Sequence, residues 1–81
     1  MTIRVHLFAR ARDLAGASTL EVELPEDATV SDLRRGIAAQ IPVMKTLLES
    51  SAIAVNHDFA SQDRKLDSLD EVAIIPPVSG G

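Results

Sequence analysis

Cysteine is absent from the 81-residue chain. No disulfide can staple it, and no cysteine thiolate can serve as nucleophile or metal ligand. It also lacks any apolar run approaching the ~20 residues of a membrane span. Its opening, Met1-Thr2-Ile3-Arg4-Val5-His6, is strand-like and has none of the long apolar stretch of a secretory leader. A cytoplasmic protein is expected. Basic runs are missing too. With a net charge of −4, the chain is a poor partner for nucleic acid or an anionic membrane, and it suits a basic protein surface. His6 and His57 are far apart and share no ligand-like spacing, so no metal is expected. The scattered aspartates form neither a calcium loop nor a glycosidase-like carboxylate pair. Gly16 has no Lys-Ser/Thr sequel and so belongs to a turn, not a phosphate loop.

What remains fits one small domain with a thin core, since a chain of this size buries only about 60% of its unfolded surface. The apolar fraction of 46% with mixed charge is that of a globular domain. Residues 2–9 alternate, with Ile3, Val5, Leu7 and Ala9 on one side and Thr2, Arg4, His6 and Phe8 on the other, the pattern of a half-buried strand. Residues 10–16 read as a short helical turn stopped by Gly16. Residues 18–24 alternate again and end at Pro25. The two strands and their link read as a hairpin. Thr29 is a good N-cap, with Asp32 placed for a capping box. Val30, Leu33, Ile37 and Ile41 then follow at helical spacing, with Arg34 and Arg35 on the wet side. Pro42 ends this helix or opens a second turn through Met44, Leu47 and Leu48.

Residues 52–56 are a short strand, Asn56-His57-Asp58 is turn-like, and Phe59 begins a brief return strand. Residues 60–70 are polar, with Leu66 and Leu69 as expected anchors. Residues 71–76 make the last strand. A mixed sheet curled over one main helix is the simplest way to bury these faces. The fold class expected is α+β, a β-grasp, with residues 1–75 forming the domain and 76–81 a flexible diglycine tail.

That tail, Pro76-Pro77-Val78-Ser79-Gly80-Gly81, is the most informative segment. The two prolines fix their φ angles and block continuation of the sheet. Fully extended, its length is about 20 Å, enough to carry a terminus into another protein's active site. Gly80 and Gly81 pass a narrow channel, and Gly81 would present an unhindered carboxyl carbon. ATP can activate such a carboxylate as an acyl-adenylate. A sulfur nucleophile then displaces AMP and leaves a thiocarboxylate, which carries sulfur without cysteine. The plain alternative is a frayed end.

On these residues the chain resembles the small, sulfur-carrier subunits of molybdopterin synthase, within the MoaD/ThiS-like ubiquitin-like family. Leu7-Phe8-Ala9-Arg10-Ala11-Arg12-Asp13-Leu14-Ala15-Gly16 is similar to that family's first strand and turn, Pro25 with Thr29-Val30 to its helix start, and Ala54-Val55-Asn56 and Asp70-Glu71-Val72-Ala73 to its third and last strands. The resemblance spans essentially the whole chain. It departs where the family commonly has glycine, in Asn56-His57 and in Ser68-Leu69-Asp70-Glu71. Both changes remove a residue that tolerates positive φ.

The resemblance implies a carrier, not a catalyst. An ATP-dependent, E1-like adenylyltransferase would activate Gly81, and a sulfurtransferase would supply the sulfur. The large synthase subunit, in an expected heterotetramer, would provide the catalytic side chains for transfer to cyclic pyranopterin monophosphate. No cofactor is expected on this chain, ATP being used by the activating enzyme. Pro76, Pro77, Val78, Ser79 and Gly80 are expected partner contacts. Phe8, opposite the core and near Ile75 and Ala54 if their strands align, is a contact or is covered by a helix or loop. Arg12, which matches a family contact position, is a contact or a solvated arginine. Competing readings are a carrier for thiamin thiazole synthesis, a ubiquitin-like modifier joined to lysine, and a plain interaction module.

Overall fold

The structure, a computed structural model, describes residues 1–77. Its elements run β1 (Thr2–Leu7), α1 (Ala9–Ala15), β2 (Thr19–Glu23), α2 (Val30–Gln40), a 3₁₀ turn (Pro42–Met44), α3 (Lys45–Ser50), β3 (Ala52–Val55), β4 (Asp58–Phe59) and β5 (Val72–Ile75). The sheet order is β2-β1-β5-β3-β4. β1 is antiparallel to β2 and parallel to β5, and β3 is antiparallel to both β5 and β4. A mixed sheet with its first and last strands side by side and a helix across one face is the β-grasp of ubiquitin-like proteins.

Strand alternation decides which side chains enter the core. Ile3, Val5 and Leu7 from β1, Val22 from β2, Ile53 and Val55 from β3, and Val72 and Ile74 from β5 are buried. Val30, Leu33 and Ile37 from α2, with Met44 and Leu48 beyond it, close over them. Gly36 lets α2 lie close to β2. A Cβ there would meet Leu24 Cδ2 and Val22 Cγ1, each at 3.2 Å. The glycine that weakens the helix by roughly 1 kcal/mol relative to alanine thus sits where the helix approaches the sheet.

Thr29 caps α2 with the expected box. Its hydroxyl accepts from the Asp32 N–H, and the Asp32 carboxylate accepts from the Thr29 N–H at 2.9 Å. The next two free donors are taken by the polar stretch that precedes β5. Val30 N–H donates to Arg64 O and Ser31 N–H to Gln62 O, both at 3.0 Å. This is why a segment with no periodicity is nonetheless held: it satisfies donors that the helix cannot.

Four expectations are corrected. Ala9 does not face the core with β1. The strand ends at Leu7, Phe8 takes the N-cap position, and Ala9 starts α1 exposed with φ of 50°. Ile41 packs against the core, but as the half-buried C-cap of α2 and not as a residue of the helix. Leu69 is no anchor, being 90% exposed, whereas Leu66 is buried. A turn over Asp67–Asp70, in which Asp67 N–H donates to the Asp70 carboxylate and Asp70 N–H to Asp67 O, holds Leu69 outward. Arg34 is not simply wet. It is half-buried, donating Nη1 to Leu48 O and Nε to Gln62 Oε1, and burial lowers its pKa. It thereby ties α2 to the end of α3 and to the polar stretch.

Replacing Leu33, fully buried, by Ala should cost about 2–5 kcal/mol, read as a lower midpoint in urea with the fold retained. The Asp32 carboxyl is held below its ordinary 3.8, first by the Thr29 N–H, then by the Thr29 hydroxyl and Arg35. A depressed carboxylate contributes stability above its unfolded-state value and loses it as pH falls through the lower folded-state value. The difference in Tm between the native chain and Asp32→Asn should therefore be full at neutral pH and shrink below 3.8. A constant difference down to pH of about 2 would contradict this linkage.

Candidate functional site

The outward face of the sheet is built by register. His6 lies opposite Ala73, Ala73 opposite Ala54, and Ala54 opposite Phe59. One row across the sheet is thus two alanines between a histidine and a phenylalanine. In the next row Ala52 pairs with Ile75, and Phe8 follows Leu7, which pairs with Ile74, so Phe8 stands beside Ile75. Small residues in the middle and large ones at the sides make a groove of about 360 Å³, lined by His6, Phe8, Ala54, Phe59, Ala73 and Ile75, with His57, Glu71 and Val72 at one end.

The aromatic content sharpens the meaning of this groove. The chain has only two aromatic residues, Phe8 and Phe59, and neither is in the core. Phe8 is 50% and Phe59 78% exposed, and both flank the same depression. Large apolar side chains withheld from a thin core and gathered on one surface make this face the candidate contact site. β5 also runs through this face. Its last residue, Ile75, lines the groove, and Pro76, half-buried, and exposed Pro77 follow directly. Whatever occupies the groove lies next to the root of the tail.

Residues 5–81 match the ThiS family. The chain belongs to the ThiS family. The ThiS-family match is accompanied by full-length likeness to molybdopterin synthase sulfur carrier subunits. That of Dictyostelium discoideum is 40% identical, covering 96% of this chain and 94% of its own. That of Escherichia coli K12 is 41% identical, covering 98% and 99%. The crystal structure of SAMP1 from Haloferax volcanii superposes with a TM-score of 0.90 at 27% identity, over 100% of both chains.

The structure brings Phe8 and Ile75 of this ThiS-family chain together and places Pro76 and Pro77 beside them. Arg12 is exposed on α1 and is not a groove residue; its carbonyl accepts from the Gly16 N–H that caps the helix. Val78, Ser79, Gly80 and Gly81 lie outside the described residues. Sequence reasoning missed Phe59, His6, His57 and Glu71. Phe59 was detectable: a two-residue turn at Asn56-His57 sets it opposite Ala54, and an aromatic in a polar stretch asks for a partner. Of the two glycine replacements, only one falls at positive φ. His57 has φ of 72°, while Leu69 is not among the positive-φ residues.

Because Phe8 is half exposed, Phe8→Ala should change folding stability by about 1 kcal/mol or less. If the groove receives a partner, the same change should weaken binding by about tenfold or more, as truncating a central aromatic does. Thermal unfolding alongside calorimetric titration with the partner protein checks both. A collapse in Tm, or unchanged affinity, would contradict the assignment.

Proposed function

We propose that this chain is the sulfur carrier of molybdopterin synthase and that Gly81 is the group it works with. The observation that carries the reading is the full-length likeness to sulfur carrier subunits at 40% and 41% identity. The groove at the root of the tail, with both aromatics exposed in it, supports a carrier that docks by its sheet face while its end reaches elsewhere.

In this reading a Gly81 carboxylate oxygen attacks the α-phosphorus of ATP on an adenylyltransferase, and pyrophosphate leaves. Sulfide-level sulfur, released from a sulfurtransferase persulfide by a thiol reductant that is oxidised to a disulfide, attacks the acyl carbon. AMP leaves with the oxygen, and the thiocarboxylate results. The charged chain then docks on the large subunit and its sulfur attacks a side-chain carbon of cyclic pyranopterin monophosphate, each new C–S bond replacing a C–O bond whose oxygen leaves with the opened cyclic phosphate or as water. Water cleaves the remaining acyl–sulfur bond and regenerates the carboxylate, and two such rounds supply both dithiolene sulfurs. The catalytic side chains belong to the large subunit. This chain contributes reach, an unhindered terminus and a docking face. Residues 1–75 serve as the docking domain and 76–81 as the arm.

A second reading has support of its own: the Haloferax volcanii small archaeal modifier protein 1 is 30% identical over 93% of this chain. There Gly81 would be joined to a lysine amine, and lysine-linked conjugates would accumulate in its own cells.

Deleting Gly81 should leave Tm unchanged and abolish product formation in a reconstitution with the activating enzyme, a sulfur source, the large subunit and pyranopterin. The new terminus would stop about 3.5 Å short, and a misplacement of about 1 Å can already cost a hundredfold. Gly80→Val should also fold normally and fail. Near-normal product formation by the Gly81 deletion would overturn the reading.

A further inference from the structure

The end of the groove holds a feature that neither the fold nor the tail requires. Asn56 and His57 form the two-residue turn between β3 and β4, both at positive φ, 53° and 72°. Asparagine suits the first position and glycine the second. A histidine in the left-handed region bears a steric cost that glycine does not, and strained backbone of this kind persists at functional sites. His57 is not held there by packing, since its side chain is 87% exposed. What it does is reach back along the rim, where its Nε2 lies 3.1 Å from Glu71 Oε2.

Glu71 is held from the other side as well. Its N–H donates to Asn56 Oδ1 at 2.9 Å, and its carbonyl accepts from the Asn56 N–H at 2.7 Å. The backbone of Glu71 is thus pinned by the turn, and its carboxylate is steered by the next residue of the same turn. It is the only carboxylate lining the groove among the described residues. The imidazole Nε2 at this distance fixes the direction of that carboxylate along the rim.

We propose that Glu71 is a specificity-determining residue of the docking groove and that His57 is its positioning residue: the partner segment seated between Phe8 and Phe59 carries a lysine or arginine that meets the Glu71 carboxylate. The net charge of −4 and a single anion beside an apolar depression are complementary to a basic residue flanking an apolar anchor. This rests on the proposed function, in that the occupant is taken to be the large subunit of molybdopterin synthase.

The test is calorimetric titration of the full chain and its variants with the large subunit from the same organism, at two salt concentrations, with Tm measured in parallel. Glu71→Gln should weaken binding about three- to tenfold, the range for one charge-assisted contact, and should flatten the salt dependence. His57→Gly should do two opposite things. Tm should rise by a few degrees, because glycine relieves the positive φ, while affinity falls by a similar factor. Combined with Glu71→Gln, His57→Gly should cause no further loss, since the histidine acts through the carboxylate. If the native chain binds and Phe8→Ala weakens it, but Glu71→Gln leaves affinity and salt dependence unchanged, the specificity role is overturned and the docking reading survives. Full additivity of the two losses would overturn the positioning role of His57. If the native chain itself does not bind, the proposed function falls, and this inference with it.

Discussion

Parallel pairing of β1 with β5, Val5 with Val72, His6 with Ala73 and Leu7 with Ile74, is the contact on which the rest of the molecule depends. A parallel pair cannot be closed by a tight turn, so the chain between β2, on one side of the pair, and β3, on the other, has to cross over a face of the sheet. Here it wraps one face of the sheet, where α2 buries Val30, Leu33 and Ile37 against the strands. The other face stays open. The same pairing that draws helices to one side therefore leaves a groove on the other and sends the chain out beside it at Pro76 and Pro77.

The cost of this arrangement is visible in the residues. A domain of this size has little apolar surface to spare, yet both aromatics stand on the open face with alanines between them. Filling that depression from within would strengthen the monomer and abolish the groove. The turn at Asn56-His57 shows the same balance locally: a glycine would relax it, and a side chain on the rim is present instead. Stability is instead drawn from the inner face and from satisfied helix donors.

Much of this was legible before any coordinates, because regular elements announce themselves by period. Alternation in residues 2–7 and 19–23 and the helical spacing of Val30, Leu33 and Ile37 depend on local geometry that every such element shares. The capping box was readable because both of its members lie within one turn. The misreadings lie where non-local contacts decide. Ala9 continues the alternation of β1 on paper, but the chain leaves the sheet at Leu7, where Leu7 N–H donates to Ser18 O. Leu69 is apolar, and a turn built by Asp67 and Asp70 still points it out. The groove was half visible. Phe8, Ile75 and Ala54 could be placed on one face by parity, but His57, Phe59 and Glu71 join them only through a hairpin register and a turn–strand contact fifteen residues apart.

The central claim concerns Gly81, and intact mass spectrometry of the protein isolated from its own cells tests it most directly. The account predicts a second species heavier by the difference between one sulfur and one oxygen atom, with fragmentation assigning that difference to the C-terminal glycine. A protein found in one mass only, or carrying Gly81 in amide linkage to lysine, while the cells are making molybdopterin, would contradict it.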